Sequence, residues 1–111
     1  MITLTDETLE HIVGVIVREV QPERIILFGS RAGGSPGPDS DLDLLVVTRD
    51  PFGPGHSRIR EIARIERALS GIPVPTDILV YSHDEIEEWR DAPGHVIAHA
   101  IAEGTVLYER S

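Results

Sequence analysis

Short β-branched apolar runs and longer stretches with helical spacing follow one another along this chain. The first helical stretch is predicted to begin after Thr5, which can cap it, and to end at Pro22. Asp6 and Glu7 fall in its first turn, where negative charge is favourable. Its apolar side consists of Leu9, Ile12, Val13, Ile16, Val17 and Val20. The pattern predicts an amphipathic N-terminal helix.

Three runs rich in β-branched residues predict buried strands. They read "RIILF" at Arg24–Phe28, "LDLLVV" at residues 42–47 and "TDILVY" at residues 76–81. A fourth run, "TVLYE", predicts a short strand near the end of the chain. The sheet is therefore expected to contain three or four strands.

Three further helices are predicted between and after these strands. The second helix is long and closes at Gly71, and the third is short and opens with Ser82 and Glu85 as a capping box. The predicted apolar positions of the second helix are Ile59, Ile62, Ala63 and Leu69, and those of the last helix are Val96, Ile97, Ala100 and Ile101. Helices interspersed with strands predict an α/β (α+β) fold in one domain spanning residues 1–111.

Two aspartates, Asp41 and Asp43, lie one residue apart at the start of the second predicted strand. Alternate strand residues share a face, so the two carboxylates are expected to point the same way. Unpaired, they would repel each other, and one would tend to hold a proton. A divalent cation between them removes that repulsion, and carboxylate oxygens suit Mg²⁺.

Asp77 is a third aspartate in an apolar strand context. If its strand neighbours that of Asp43, three carboxylates converge at one end of the sheet. Such a trio can hold two metal ions for a phosphoryl transfer. The alternative reading makes Asp41 a turn residue, Asp43 a strand start and Asp77 part of a frayed edge.

Gly29 and Ser30 follow the first strand directly and begin a loop rich in Gly and Pro. Gly29 allows close backbone approach, and N–H groups with the Ser30 hydroxyl can bind a phosphate. Arg31 can add a charge-assisted contact. A Gly-Ser pair alone is most often a turn, and its value here lies in its fixed distance from the aspartates.

Composition narrows the function classes. The chain has a formal charge of −9, with ten arginines, no lysine and no cysteine. Net acidity argues against direct nucleic-acid binding, and the missing lysine excludes a P-loop. No apolar run is long enough for a membrane span, and the N-terminus lacks a signal region, so a cytoplasmic protein without membrane contact is expected.

Other polar and aromatic residues carry weaker signals. His95 and His99 are spaced as a metal pair on a predicted helix, but without further context two packing or exposed histidines are favoured. Trp89 is interpreted as a core or partner contact rather than a chemical group. Four arginines of the second helix are interpreted mainly as a solvated face with ion pairs along the helix, and they are Arg58, Arg60, Arg64 and Arg67.

Gly29-Ser30, ten intervening residues and Asp41-Leu42-Asp43 resemble the signature of DNA polymerase beta-like nucleotidyltransferases. Asp77 matches the position of the third carboxylate. The length and layout are similar to the minimal nucleotidyltransferase (MNT) family over roughly residues 5–109. The resemblance implies a small mixed sheet flanked by helices, which is the catalytic core of this superfamily.

The resemblance also implies chemistry and a partner. Asp41, Asp43 and Asp77 would hold two Mg²⁺ ions, with Asp77 also the candidate base. Gly29 and Ser30 would bind the triphosphate of ATP, with Arg31 beside them. Many minimal members are antitoxins that transfer AMP to a tyrosine of a HEPN-type ribonuclease toxin, so a hetero-oligomer with such a toxin is expected.

Gly33 departs from the family pattern, which often has an arginine at this position. The loss of that guanidinium would weaken triphosphate binding. Two alternatives to AMP transfer onto a toxin also stay open. One is an antitoxin that neutralises its toxin by binding alone, and the other is a standalone transferase for a small-molecule acceptor.

Overall fold

The computed structural model describes residues 5–29 and 41–110. In these ranges the chain forms a four-stranded sheet flanked by four helices, which confirms the predicted fold class. In chain order the elements are α1 Asp6–Val20, β1 Arg24–Phe28, β2 Leu42–Thr48, α2 Arg58–Leu69, β3 Thr76–Ser82, α3 His83–Trp89, α4 Val96–Glu103 and β4 Thr105–Glu109. No helix in the described ranges is long and apolar enough to cross a membrane.

Side-chain caps define where the helices begin. The Thr5 hydroxyl accepts a hydrogen bond from the Thr8 N–H at 3.1 Å, which caps α1 as predicted. Ser82 and Glu85 form the predicted capping box at the start of α3. Each cap satisfies backbone N–H groups that have no partner within the helix, so these polar residues locate the helix starts in the sequence.

The sheet is mixed and has the strand order β3-β2-β1-β4. β1 pairs antiparallel with both β2 and β4, whereas β2 and β3 are parallel and are connected through α2. Parallel neighbours need a crossover connection, and the helix supplies it. Consequently β2 and β3 begin at the same end of the sheet, where β1 ends.

Both faces of the sheet are covered by helices. On one face α1 and α2 pack against β2 and its neighbours, with Ile12, Ile16 and Ile65 fully buried. On the other face α3 and α4 contribute Ile86 and Ile97 to a second apolar cluster. Strand residues alternate between these clusters, so each position in β2 and β3 can be assigned to a face.

The apolar side of α2 differs from the prediction. Ile59 is 78% exposed, while Ile65, which the prediction left out, is fully buried. At 100° per residue, Ile62, Ile65 and Leu69 form one stripe, and Ile59 lies about 90° away from its centre. Pairing Ile59 with the small Ala63 displaced the predicted stripe to the side of the true one.

Arg58 lies on this buried stripe, which corrects its assignment to a solvated face. Its guanidinium donates to the Val80 carbonyl at 3.1 Å and pairs with the Glu85 carboxylate. It also lies over the rings of Phe52 and Tyr81, at 4.8 and 4.9 Å from their centroids. Arg58 therefore joins the start of α2 to the end of β3 and to α3. Arg64 keeps the predicted role, pairing with Glu61 along the helix at 3.6 Å.

Candidate active site

Two of the three predicted aspartates are neighbours across strands. Asp43 in β2 is the register partner of Asp77 in β3, and on its other side it is the partner of Phe28 in β1. Asp41 immediately precedes β2 and is exposed. The starts of β2 and β3 are held together by the Leu42 N–H, which donates to the Pro75 carbonyl at 2.9 Å. The condition on which the convergence of the carboxylates depends, that the two strands are neighbours, is thus met for Asp43 and Asp77.

The carboxylates share the face of the sheet that carries α3 and α4. Leu45, two residues after Asp43, belongs to the second apolar cluster, and Leu79, two residues after Asp77, packs against it. Because alternate strand residues point the same way, the aspartates continue these two rows beyond the apolar cluster. The sequence pattern predicted this common face but could not identify the helices on it.

Gly29 comes directly after β1 and contacts Asp43. Its φ of +77° lies in the left-handed region, which glycine adopts without steric cost. A Cβ added to Gly29 would lie 2.0 Å from Oδ2 of Asp43 and 3.0 Å from its Cγ. A side chain at this position would therefore occupy the space of the carboxylate. Glycine is required here both for its backbone conformation and for the position of Asp43.

The electrostatic environment disfavours ionised Asp43. Burial raises the pKa of the Asp43 carboxyl above its ordinary value, and the nearby charges of Asp77 and Asp41 raise it further. Within the described ranges no Arg or His forms a salt bridge with any of the three aspartates. A cation bound beside Asp43 would relieve both effects, because it favours the charged form.

The donor set fits a divalent cation in type. Mg²⁺ prefers oxygen ligands, and carboxylates on one face of neighbouring strands supply them. Within residues 5–29 and 41–110, no group of three or more His, Cys, Asp or Glu side chains is arranged to hold one ion. Three ionised carboxylates repel one another, so gathering them needs a positive charge between them. The metal role of Asp41, Asp43 and Asp77 stays a prediction.

Ser30, Arg31 and Gly33 lie outside the described residues, so their predicted phosphate contacts stay predictions. His95 is the N-cap of α4 and stacks on Trp89, with ring centroids 4.7 Å apart. His99 pairs with Glu103 at 2.9 Å. The two histidines thus have separate structural partners, in agreement with their interpretation as exposed or packing residues.

We expect Gly29→Ala to lower both stability and any activity that depends on Asp43. A left-handed alanine costs about 1–2 kcal/mol, and the new methyl group displaces the Asp43 carboxylate. Gly94→Ala is the matched control, since Gly94 also has a φ of +77° but its Cβ would meet nothing within 4 Å. Thermal denaturation should show a loss of stability in both variants, larger in Gly29→Ala because of the added clash, and a transfer assay should show a loss of activity in Gly29→Ala alone. Equal activity in the two variants would contradict the contact with Asp43.

Solved structures share this fold. A putative nucleotidyltransferase from Sulfolobus solfataricus superposes with a TM-score of 0.54 at 20% identity, covering 99% of this chain and 94% of that one. A toxin–antitoxin crystallised with AMP-PNP gives a TM-score of 0.54 at 19% identity, covering 92% and 74%. A mutant of the toxin–antitoxin MntA–HpeT gives 0.51 at 16%, covering 97% and 76%. At these identities the likeness establishes the fold alone.

No curated protein matches the chain. The profile described as "Polymerase beta, Nucleotidyltransferase" matches residues 10–111, which is nearly the whole chain. The match includes the Gly29–Asp43 segment and the strand that carries Asp77. The chain therefore belongs to the polymerase beta nucleotidyltransferase family.

Proposed function

We propose that this protein is a Mg²⁺-dependent nucleotidyltransferase that transfers AMP from ATP to a hydroxyl of a partner HEPN-type ribonuclease toxin, and that it acts as the antitoxin. The acceptor is a tyrosine hydroxyl. The single observation that carries the proposal is the alignment of Asp43 with Asp77 beside Gly29. Family membership supports nucleotidyl transfer.

The aspartates and the glycine have distinct roles in this reaction. Asp41, Asp43 and Asp77 would hold two Mg²⁺ ions, which stabilise the charge that develops on the phosphate oxygens. Gly29, Ser30 and Arg31 bind the triphosphate. Gly29 has no side chain, so its backbone can approach both a phosphate and the Asp43 carboxylate.

Asp77 is the candidate base. It accepts the proton of the acceptor hydroxyl as that oxygen forms a bond to the α-phosphorus of ATP. The bond between the α-phosphorus and the oxygen bridging to the β-phosphate breaks, and pyrophosphate leaves. Asp77 is exposed in the structure, which lets a protein acceptor reach it.

The toxin partner is supported by the fold neighbours. Two of them are toxin–antitoxin structures, one crystallised with AMP-PNP. In this proposal residues 1–111 form one domain and the partner completes the nucleotide cleft, giving a hetero-oligomer.

Mass spectrometry of the partner tests the transfer. The protein encoded by the neighbouring gene is incubated with this chain, ATP and Mg²⁺, and its mass is measured. We expect an adenylyl increment that disappears with the Asp41→Ala/Asp43→Ala variant. Asp91→Ala is the matched control, because Asp91 is exposed on the loop after α3, and it should leave the increment unchanged.

The alternatives are separated when neutralisation of the toxin and modification of small-molecule acceptors are measured beside the mass of the partner. Full neutralisation of the toxin by Asp41→Ala/Asp43→Ala, with no increment from the wild-type protein, would show an antitoxin that acts by binding alone. An increment on a small-molecule acceptor, and none on the partner, would show a standalone transferase. Either result contradicts AMP transfer to a toxin.

A further inference from the structure

A polar cleft of about 650 Å³ lies away from the aspartates. It is formed by the last turn of α1, the residues that follow β2, one side of α2 and Arg110 after β4. Four guanidinium groups line it, those of Arg18, Arg49, Arg64 and Arg110. These arginines outnumber the three carboxylates of the same lining, so the cleft is net positive in a chain with a formal charge of −9.

The cleft and the aspartates are at opposite ends of β2. Asp41 and Asp43 lie where the strand begins, whereas Thr48 and Arg49 lie where it ends. At about 3.3 Å per residue, the two ends are roughly 20 Å apart. A ligand in the cleft therefore does not contact the candidate active site.

The acidic residues of the cleft leave part of this positive charge available. Its carboxylates are those of Glu19, Asp50 and Glu61. Glu61 is already engaged by Arg64 at 3.6 Å and by His56 at 3.9 Å. In the part of the chain that the structure describes, neither Arg18 nor Arg49 forms an ion pair. Both are exposed and can rotate towards a ligand.

Interactions with the C-terminal end of α1 explain the positions of Arg18 and Arg110 but not that of Arg49. Arg18 lies in the last helical turn, where a cation offsets the negative end of the helix dipole. Arg110 donates to the Gln21 carbonyl at 2.6 Å, which uses one of its five N–H groups. Arg49 follows β2 and has no such partner in the described residues. The helix end therefore does not explain the whole cluster.

We propose that this cleft is a second ligand site that binds a small anion carrying phosphate groups, separate from the nucleotide site. Guanidinium groups bind phosphate through paired N–H donors. The volume falls within the range of small-molecule sites, about 300–1,000 Å³. The ligand contacts Arg49 and Arg18 and draws on the free N–H groups of Arg110.

Binding is tested with inorganic pyrophosphate by NMR, in the presence of EDTA so that no divalent metal reaches the aspartates. We expect saturable shifts of the backbone amides of Arg49, Asp50 and Arg64, and no shift at Asp43 or Asp77. NaCl at matched ionic strength should not reproduce them. Citrate should bind more weakly than pyrophosphate, which separates phosphate recognition from general attraction of anions.

Variants assign the binding to the cleft. Arg18→Ala/Arg49→Ala should weaken pyrophosphate binding at least about tenfold. Arg60→Ala/Arg67→Ala is the matched control, since both residues are exposed on α2 outside the cleft. The affinity of this double variant for pyrophosphate should stay within about twofold of that of the wild type. If the first double variant does not fold, Arg49→Glu takes its place.

Three results would overturn the proposal. They are unchanged affinity in the Arg49 variants, shifts that NaCl reproduces, and equal binding of citrate and pyrophosphate.

Discussion

Asp43→Asn is expected to abolish measurable AMP transfer and, at the same time, to raise the thermal stability of the protein at neutral pH. In the proposed reaction Asp43 is a metal ligand, so removing its carboxylate should reduce the transfer rate at least about 100-fold. The gain in stability has a separate cause. In the folded protein ionised Asp43 is disfavoured by its partial burial and by the charges of Asp77 and Asp41. Asparagine has a similar shape and carries no charge.

The pH dependence of this gain follows from the direction of the pKa shift. The folded pKa of Asp43 is raised above its ordinary value of 3.8, so the native state holds the proton more tightly than the unfolded chain. Stability therefore falls as pH rises from about 3.8 through the folded pKa. The difference in melting temperature between Asp43→Asn and the wild type should be small at the acidic end and largest above the folded pKa.

Asp91→Asn is the matched control for both effects, since Asp91 is exposed and is not among the charges that raise the pKa of Asp43. It should change neither the transfer rate nor the shape of the stability profile. A variant Asp43→Asn that is less stable than the wild type at neutral pH would contradict the electrostatic description of the site. A variant that is fully active would contradict the role of Asp43 in the reaction.

Of the substitutions considered for the helices and strands, Arg58→Ala should lower the free energy of unfolding the most. The guanidinium pairs with Glu85, donates to the Val80 carbonyl and lies over the rings of Phe52 and Tyr81. Breaking a fully buried ion pair costs about 3–5 kcal/mol. The side chains of Arg58 and Glu85 are 36% and 25% exposed, so we expect a smaller cost of about 2–3 kcal/mol. Chemical denaturation measures it.

The stability that the Arg58 contacts contribute also depends on pH. Burial alone would raise the pKa of Glu85, but hydrogen bonds from Ser82 and the Arg58 guanidinium lower it below its ordinary value of 4.5. A lowered folded pKa stabilises the protein above pH 4.5, and this stabilisation is lost as pH falls through the folded pKa. The stability difference between wild type and Arg58→Ala should therefore narrow in acid.

Arg60→Ala is the control for Arg58→Ala, because Arg60 lies on the same helix and is exposed. Its free energy of unfolding should change by less than about 0.5 kcal/mol. Arg58→Lys keeps the charge but not the planar group, so it should recover part of the lost stability. If Arg58→Ala were no less stable than Arg60→Ala, the contacts of Arg58 would not hold α2, β3 and α3 together.

The element pattern could be predicted from the sequence because each element carries its own local signal. Thr5 and Ser82 are caps that act within one helical turn, and β-branched runs predict strands without reference to their neighbours. The two aspartates at alternate positions predict a common face by the same local rule. These features depend on residues a few positions apart, so a single sequence contains them.

The strand register, the role of Arg58 and the buried side of α2 depend on contacts between residues that are distant in the sequence. Asp43 and Asp77 are more than 30 residues apart in the sequence, and their register is set by strand pairing across a crossover, so the sequence could only state it as a condition. Arg58 looks like other exposed arginines until Glu85 and Tyr81 are brought to it. The helical spacing of Ile59 from Ile62 predicts a core position for Ile59, but the centre of the buried stripe lies elsewhere.

The most direct measurement of the central claim is a titration of the protein with Mn²⁺, followed by NMR, without any partner or nucleotide. If Asp41, Asp43 and Asp77 form a metal site, line broadening should be strongest at the starts of β2 and β3 and at Gly29. It should weaken towards Thr48, at the far end of β2, and Asp43→Asn should remove it. Broadening that is centred elsewhere, or that persists unchanged in Asp43→Asn, would contradict a metal site at this end of the sheet.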